Sequence, residues 1–572
     1  MFTVGILDGY VDEPTCLGVP PYISTYPRYI AGAVWKNNPS NIVKYYTIDQ
    51  VRRNPLFLRN IKEVDLLVVI AGMVVPGRYL SGTPIDPGEI RIYLGSIKKP
   101  IKLLCGPAAK HGFGVEGGLK PKSIEVVERI FNGIVKGDSE TVIYSLLNQN
   151  LELEAIDLSE KRKNEQSIRE YAILGASIIK QHPFYPDALI AEIETYRGCP
   201  RSITGGCSFC IEPLHGKPDF RPMKDIHDEI KALSTNGLRH IRLGNQPCIF
   251  SYKAYNAGRE EFPRPNPRAI EELFKGIHEV TLGFKTIHID NANPGVIARY
   301  PEESREIAEI IIRYHTPGDV AAFGVESVDP KVIEENNLKA SEEEVLEAIR
   351  ILNEVGAKKG WNGMPELLPG INLLFGLKGE TSRTFKLNYR FLKRILEEKL
   401  LIRRINLRQV IPLMGTPMNK IGDTIMRRHH ELFKRFKRKV KEEVEKPLLR
   451  NMLPVGTILR EVFTETVVGK TTFGRQIGSY PLLVGIIGVY DLHRFMDVTI
   501  IDYGYRSVTA IPYPLHINTA PREAIEALPG IGEKRAWRII THRPIRDKKH
   551  LIDVMDDPGV ASSILPYISF QQ

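Results

Sequence analysis

The chain has 572 residues, too many for one hydrophobic core, and roughly three or four domains are expected. Apolar residues make up 42% and charged residues 26%, the balance of a globular protein, and no run is long and apolar enough to span a bilayer, so no membrane partner is expected. Lys plus Arg number 78 against 68 for Asp plus Glu; a net charge of +10 permits a polyanionic partner without requiring one.

MFTVGILDGY begins directly as a strand, without the basic region, apolar run and cleavage site of a secretory signal, so the expected location is cytoplasmic. TVGILD, DLLVVIAG and IKLLCGP are β-branched runs set between helical patterns, and IEVVERIFNGIVKGDSETVIYSLLNQ reads as strand, turn and helix. This alternation predicts a parallel α/β domain over residues 1–165. DGYVDEPTCLGVPPYISTYPRY, dense in Pro, Gly and Tyr, reads as a substrate or cofactor loop or as a long structured connection. The charged stretch LSEKRKNEQSIREY reads as a linker.

Over residues 180–450 the runs LIAEIET, HIRLGN, TIHIDNAN, AAFGVES, GINLLFGL and RINLRQVIP alternate with helices such as SREIAEIIIRYH and EEVLEAIRILNEVG. They predict a partial (β/α)6 barrel with its site at the C-terminal ends of the strands. Met426 to Arg450 reads as a basic amphipathic helix, with Leu432, Phe433, Phe436, Val440 and Val444 on one face. A solvated face and a nucleic-acid contact both fit it. Residues 451–510, rich in glycine and β-branched runs, predict a small β-barrel, and residues 511–572 return to helix.

Of the six cysteines, Cys199, Cys207 and Cys210 crowd into one loop after the first barrel strand, in ETYRGCPRSITGGCSFCIEP. Such a cluster reads as metal binding before disulfides. Three thiolates hold a cubane iron–sulfur cluster and leave one iron open. The alternative is a structural zinc with His215 as fourth ligand.

The cysteine loop and the barrel resemble the radical S-adenosylmethionine (SAM) superfamily. The usual spacing is three residues, then two; here the first gap is seven, PRSITGG, and the second, Ser208-Phe209, is standard. Gly244-Asn245-Gln246 matches the turn near the SAM amino group, and FGVES, with Glu326 and Ser327, matches the fourth-strand signature near the ribose and carboxylate. NLLFGLKGET and IPLMGTPM match the fifth and sixth strands, in order. The resemblance implies a 4Fe–4S cluster on Cys199, Cys207 and Cys210, and SAM lined by Gly244, Asn245, Gln246, Glu326 and Ser327. It also implies an electron donor such as ferredoxin or flavodoxin, and a 5′-deoxyadenosyl radical as the reagent.

The N-terminal domain, with Gly137-Asp138-Ser139-Glu140, resembles the Rossmann-like cobalamin-binding or methylthiotransferase-like domain of such enzymes. A second cluster on Cys16, Cys105 and Cys248, or cobalamin without a protein ligand, is the corresponding expectation; three buried thiols are the alternative. Residues 451–510 are similar in type to a TRAM barrel. INTAPREAIEALPGIGEKRAWRIITHRP carries a helix-hairpin-helix signature, with Gly530 and Gly532 placed to approach a phosphate and Lys534 and Arg535 to attract it. Packing or protein interaction is the other use of such a motif. HLIDVMDDPGVASSILPYI looks like a degenerate second copy.

The whole chain resembles an archaeal-type family of radical SAM proteins with this C-terminal motif. The implied fold is α/β multidomain. The leading expectation is an RNA-modifying enzyme that methylates or methylthiolates a base, binding RNA (or DNA) through the C-terminal modules. A radical enzyme acting on a small molecule or protein, and a non-catalytic nucleic-acid-binding protein with a structural metal, stand beside it.

Overall fold

The computed structural model describes residues 1–13, 16–17, 22–72, 82–115, 118–281 and 283–570. Residues 14–15 and 18–21 of the Pro/Gly/Tyr-rich segment, together with the Cys16 side chain, lie outside the described residues.

The chain begins with β1 (Thr3–Asp8), β2 (Tyr22–Ile23) and α1 (Thr25–Asn37), followed by β3 (Ile42–Thr47), β4 (Leu66–Ile70), β5 (Ile101–Cys105) and β6 (Gly133–Ile134). Five of these strands make a wholly parallel sheet in the order β6-β5-β4-β1-β3. β4 is LLVVI, buried at every residue, as a parallel strand covered on both faces must be. The expected strand at IEVVERIF forms instead two short 3-10 turns before the two-residue β6. α2 (Ser139–Asn148) and α3 (Arg169–Leu174) pack on α1. The α1–α3 crossing is close because it is made at glycine: a Cβ on Gly32 would sit 1.9 Å from the Tyr171 carbonyl oxygen, and one on Gly175 would sit 1.8 Å from that of Arg28.

β2 leaves this sheet altogether. It pairs in parallel with β7 (Ile190–Glu194), the first barrel strand, through Tyr22↔Ile190 and Ile23↔Ala191. The N-terminal region and the barrel therefore share one continuous core, which runs from Val4 and Ile6 to Ile193 and Phe323. The segment read as a charged linker is likewise built in. It contains a 3-10 turn and the start of α3, and the side chains of Arg162 and Glu165 are 6% and 2% exposed because each finds an opposite charge inside.

After β7 come a hairpin of β8 (Tyr196–Arg197) and β9 (Asp219–Phe220), then α4 (Met223–Thr235), β10 (His240–Gly244), α5 (Pro267–Val280), β11 (Thr286–His288), β12 (Asn291–Ala292), α6 (Pro301–Tyr314), β13 (Asp319–Glu326), α7 (Glu342–Gly356), β14 (Leu367–Phe375), α8 (Ser382–Glu397) and β15 (Arg404–Gln409). The six expected strands are present and parallel, but the third is broken. TIHIDNAN splits into β11, which closes the sheet β11-β10-β7-β2, and β12, which opens the sheet β12-β13-β14-β15. The break falls at Ile289-Asp290, where Ile289 N donates to the Asp319 carboxylate (3.0 and 3.1 Å) and Asp290 carries the ion pair to Arg242. The ladder changes partner there, because Asp290 O accepts from Ala322 N of β13 at 2.9 Å.

The basic helix forms as α9 (Thr424–Val440), a π turn and α10 (Lys446–Met452), with Phe433, Phe436, Val440 and Val444 buried. Strands β16 (Ile458–Val468), β17 (Thr471–Gln476), β18 (Leu483–Ile487), β19 (Phe495–Tyr503) and β20 (Ser507–Pro512) close a barrel in the order β16-β17-β18-β20-β19. Its loop at Gly478–Tyr480 reaches the start of β2 and the broken third strand of the large barrel. Gly478 O accepts from Tyr22 Oη (2.8 Å), Ser479 N donates to His288 Nδ1 (2.8 Å) and Tyr480 Oη donates to Asp290 (2.6 Å). The small barrel thus plugs the end of the large one opposite the cysteines.

The C-terminal unit has its own core, from Ile511 to Ile568. It is closed by pairing of β21 (Leu515–His516) with β22 (Ile568–Ser569) around α11 (Arg522–Glu526), α12 (Glu533–Thr541), α13 (Lys548–Val554) and α14 (Pro558–Ile564). No helix of the described residues is long and apolar enough to cross a membrane.

Candidate cluster and cofactor site

The β8–β9 hairpin holds all three clustered cysteines in its loop, at the C-terminal end of β7. Cys199 N donates to Gly216 O (3.0 Å) at the neck. A 3-10 turn over Pro200–Thr204 follows, and Gly205 and Gly206, with φ of 84° and 68°, turn the chain back to Cys207. Cys210 N then donates to Cys207 O at 3.0 Å. The far side of the loop is clamped. Ser208 donates through N and Oγ to Asn336 (3.0 and 2.8 Å), Asn337 Nδ2 donates to Gly206 O (3.0 Å), and Met418 N donates to Ser208 O (2.9 Å).

Cys207 is buried and Cys199 and Cys210 are half-buried. Burial pushes the Cys199 thiol up to about 12 and raises that of Cys210 further. Two cations answer this. Arg201 Nη1 donates to Cys207 Sγ at 3.0 Å, and Lys339, although burial opposes its charge, is held protonated by Cys207, Glu326 and Cys210. Among the described residues no three His, Cys, Asp or Glu side chains converge on a single-ion position. His215, the fourth ligand that a zinc site would use, lines the cavity beside the loop with Glu212 and Asn245. The donor set fits an iron–sulfur cubane: three thiols on one clamped loop, with positive charge beside the sulfurs.

The candidate SAM residues fall into two groups. Glu326 ends β13 with φ of 65°, and burial lifts its carboxyl to about 7 against the pull of Lys339 and Arg408. A Cβ on Gly324 would lie 2.2 Å from Lys339 Nζ and 2.7 Å from Glu326 Oε1, so the glycine makes room for that pair. Gly244 does the same beside Glu192. Asn245, with φ of 54°, donates to Glu194 Oε1 at 3.0 Å and reaches the cavity. By contrast, Gln246 and Ser327 are fully buried and turned into the wall. Gln246 Nε2 donates to Leu243 O (3.0 Å), and Ser327 Oγ contacts Asn388 Oδ1 (3.4 Å) and accepts from Asp329 N (3.2 Å).

The fifth-strand motif is architectural as well. Glu380 accepts from Gly376 N (2.7 Å), and Thr381 caps α8. The sequence pattern points to neither Arg201 nor Lys339. The only signal for Arg201 is its place inside the long first gap, and Lys339 sits in the short connection that precedes α7.

A cavity of about 260 Å³ lies beside the loop, lined by Tyr26, Lys110, Asp138, Glu194, Arg197 and Asn245 among others. Arg197 and Arg162 hold the buried Asp138 carboxyl well below its usual range, whereas burial and the Glu194 charge push Glu165 up to about 7. The Gly137–Glu140 element thus anchors an ion network between the N-terminal sheet and the barrel mouth. Cys105 and Cys248 are each buried in the large core, and burial lifts the Cys105 thiol to about 12.

At the C-terminus, Gly530 has φ of 73°, and Gly532 and Lys534 face solvent. Arg535 is engaged by partners of this chain at the surface: its guanidinium donates to Gly530 O (2.7 Å) and Asp556 (2.8 Å), closing the turn.

Residues 193–392 match the radical SAM superfamily, the segment that holds the cysteine loop and strands β8 to β14. An uncharacterized protein of Methanocaldococcus jannaschii is 49% identical over 88% of this chain and 92% of its own length. This chain carries a radical SAM domain. The ribosomal protein uS12 methylthiotransferase RimO of Carboxydothermus hydrogenoformans is 22% identical over 56% of this chain and 67% of its own. The radical SAM methyltransferase TsrM of Kitasatospora setae is 13% identical, with a TM-score of 0.46 over 73% of this chain and 75% of that one. Radical SAM proteins use a 4Fe–4S cluster and SAM and draw on an electron donor.

Proposed function

We propose that the chain is a radical SAM enzyme that modifies an RNA base by methylation or methylthiolation, with Cys199, Cys207 and Cys210 as cluster ligands. The observation that carries the radical chemistry is the clamped loop that places three thiols beside Arg201 and Lys339 at the barrel mouth. When bound, the cluster supplies the electron that cleaves SAM to methionine and a 5′-deoxyadenosyl radical. Lys339 is the cation for the SAM carboxylate, Glu326 the acceptor for a ribose hydroxyl, and Gly244 and Asn245 line the amino group. Gln246 and Ser327 hold the turns that present them.

The RNA reading rests on α9. Its His429 meets Glu380 below the mouth, and the following Lys441 lies over Tyr505 of the small barrel, 4.0 Å from the ring centre. Arg427, Arg428, Lys434, Arg435, Lys437, Arg438 and Lys439 are exposed along it, a basic stripe joining the C-terminal modules to the mouth. In this reading the N-terminal sheet is a Rossmann-like domain of the cobalamin-binding or methylthiotransferase type, and residues 511–572 are a helix-hairpin-helix unit that meets phosphate through Gly530, Gly532 and Lys534. The similarity to RimO supports methylthiolation.

The test is anaerobic reconstitution with iron and sulfide, then dithionite and SAM, with 5′-deoxyadenosine read by mass spectrometry. We expect the product from the wild type and its loss, with the iron, from the Cys199→Ala/Cys207→Ala/Cys210→Ala variant. Salt-dependent RNA binding that weakens on truncation after Tyr513, which spares β20, supports RNA as substrate. Binding unaffected by the truncation and by charge reversal on α9 favours a small molecule or a protein instead.

A further inference from the structure

The seven-residue first gap is where the cysteine loop departs from the usual spacing, and it delivers one buried side chain. Pro200 starts the 3-10 turn, which carries Arg201 inward until it is 2% exposed. Its guanidinium is then fixed on three sides. Nη1 donates to Cys207 Sγ at 3.0 Å, Nε to Glu261 Oε1 at 2.8 Å, and Nη2 to Asn337 Oδ1 at 2.9 Å, with the Phe262 ring centre 5.5 Å away. Glu261 and Asn337 are in turn tied to Thr204 of the same turn, at 3.0 and 3.4 Å. A spacing of three residues has no room for this turn.

A buried guanidinium spends its donors where charge resides. One donor meets a carboxylate; another meets a cysteine sulfur, which is a weak acceptor as a thiol and a strong one as a metal-bound thiolate. An N–H directed at a ligating sulfur withdraws electron density from the cluster and favours its more negative, reduced form.

Resting on the assignment of Cys207 as a cluster ligand, we propose that Arg201 is a positioning residue that donates to the ligating sulfur and raises the reduction potential of the cluster, and that the long gap exists to deliver it. Glu261 sets the opposite limit, because its negative charge offsets part of the guanidinium's.

The experiment is an anaerobic redox titration of the one-electron 4Fe–4S 2+/1+ couple, followed by electron paramagnetic resonance, with dithionite as the reductant. Wild type, Arg201→Met, Arg201→Lys and Glu261→Gln are compared at matched iron content. We expect a more negative midpoint in R201M and a smaller negative shift in R201K, which keeps the charge and loses the fork. E261Q should shift to a more positive midpoint. Opposite shifts from two touching residues are not a consequence of loosened structure. Unchanged midpoints in R201M and E261Q overturn the proposal. Should R201M fail to load iron, E261Q decides alone: a positive shift supports the role, and no shift or a negative one overturns it. A wild-type protein that takes up no cluster rejects the ligand assignment, a different failure from unchanged midpoints in loaded proteins.

Discussion

Asp8 ends β1 with both carboxylate oxygens in use: Oδ1 accepts from Tyr10 N at 2.9 Å and Oδ2 from Tyr45 Oη at 2.7 Å. Burial still prevails and lifts its carboxyl to about 6. A carboxyl raised above its unfolded value of 3.8 favours the protonated fold, so its ionisation costs stability progressively as pH rises from about 4 to 6, and the cost is complete above 6. A rise from 3.8 to about 6 corresponds to about 2–3 kcal/mol. Asp8→Asn mimics the protonated form. Its melting temperature relative to wild type should therefore rise from pH 4.5 to pH 7; an offset that stays flat across that range contradicts this account. At the same scale lie the residues the sequence did not disclose. Arg201 and Lys339 are ordinary in composition, and only folding brings them to the thiols.

At the scale of elements, glycine sets how closely helices approach. Gly32 and Gly175 let α1 and α3 touch backbone to backbone, and a methyl group at either would displace a main-chain oxygen rather than a flexible side chain. Gly175→Ala and Gly32→Ala should each cost about 1–3 kcal/mol or more in urea unfolding. Gly532→Ala, where an added Cβ meets nothing within 4 Å, should be close to neutral. Equal effects at the three sites would refute the packing argument. The signature turns divide along the same line. Cys199 to Cys210 and the Gly324–Glu326 bend present groups at the mouth, whereas Ser327, Gln246 and Glu380 are spent on holding turns in place.

For the whole molecule, one joint between the barrels is the plug at the base of the large one, beside a core that Met364 and Leu368 share with Leu459 and Val462. Tyr480 Oη reaches Asp290 where the third strand breaks, and the Arg404 guanidinium lies 4.1 Å from its ring centre. Tyr480→Ala should uncouple the small barrel, so calorimetry should resolve two transitions where wild type shows one. A single transition in both proteins would show that the plug is not what couples them. This position also constrains the RNA proposal, because the small barrel stands at the end opposite the cysteines and α9 has to span the distance.

Local pattern sufficed wherever one chain segment makes its own case. Six β-branched runs between amphipathic helices prescribe a parallel barrel, three cysteines within twelve residues fall on one loop, and short glycine-bounded strands prescribe a closed small barrel. Such features depend on period and spacing, which are properties of contiguous residues. What tertiary structure alone decided depends on pairs far apart in the chain: the capture of β2 by the barrel, the switch of the third strand between sheets at Asp290, and the burial of Arg162 and Glu165 in a stretch that reads as a linker. The guanidinium on Cys207 is of the same kind. A charged side chain looks like surface until its partner is known, and the partners of Arg201, Glu261 and Asn337, lie 60 and 136 residues away.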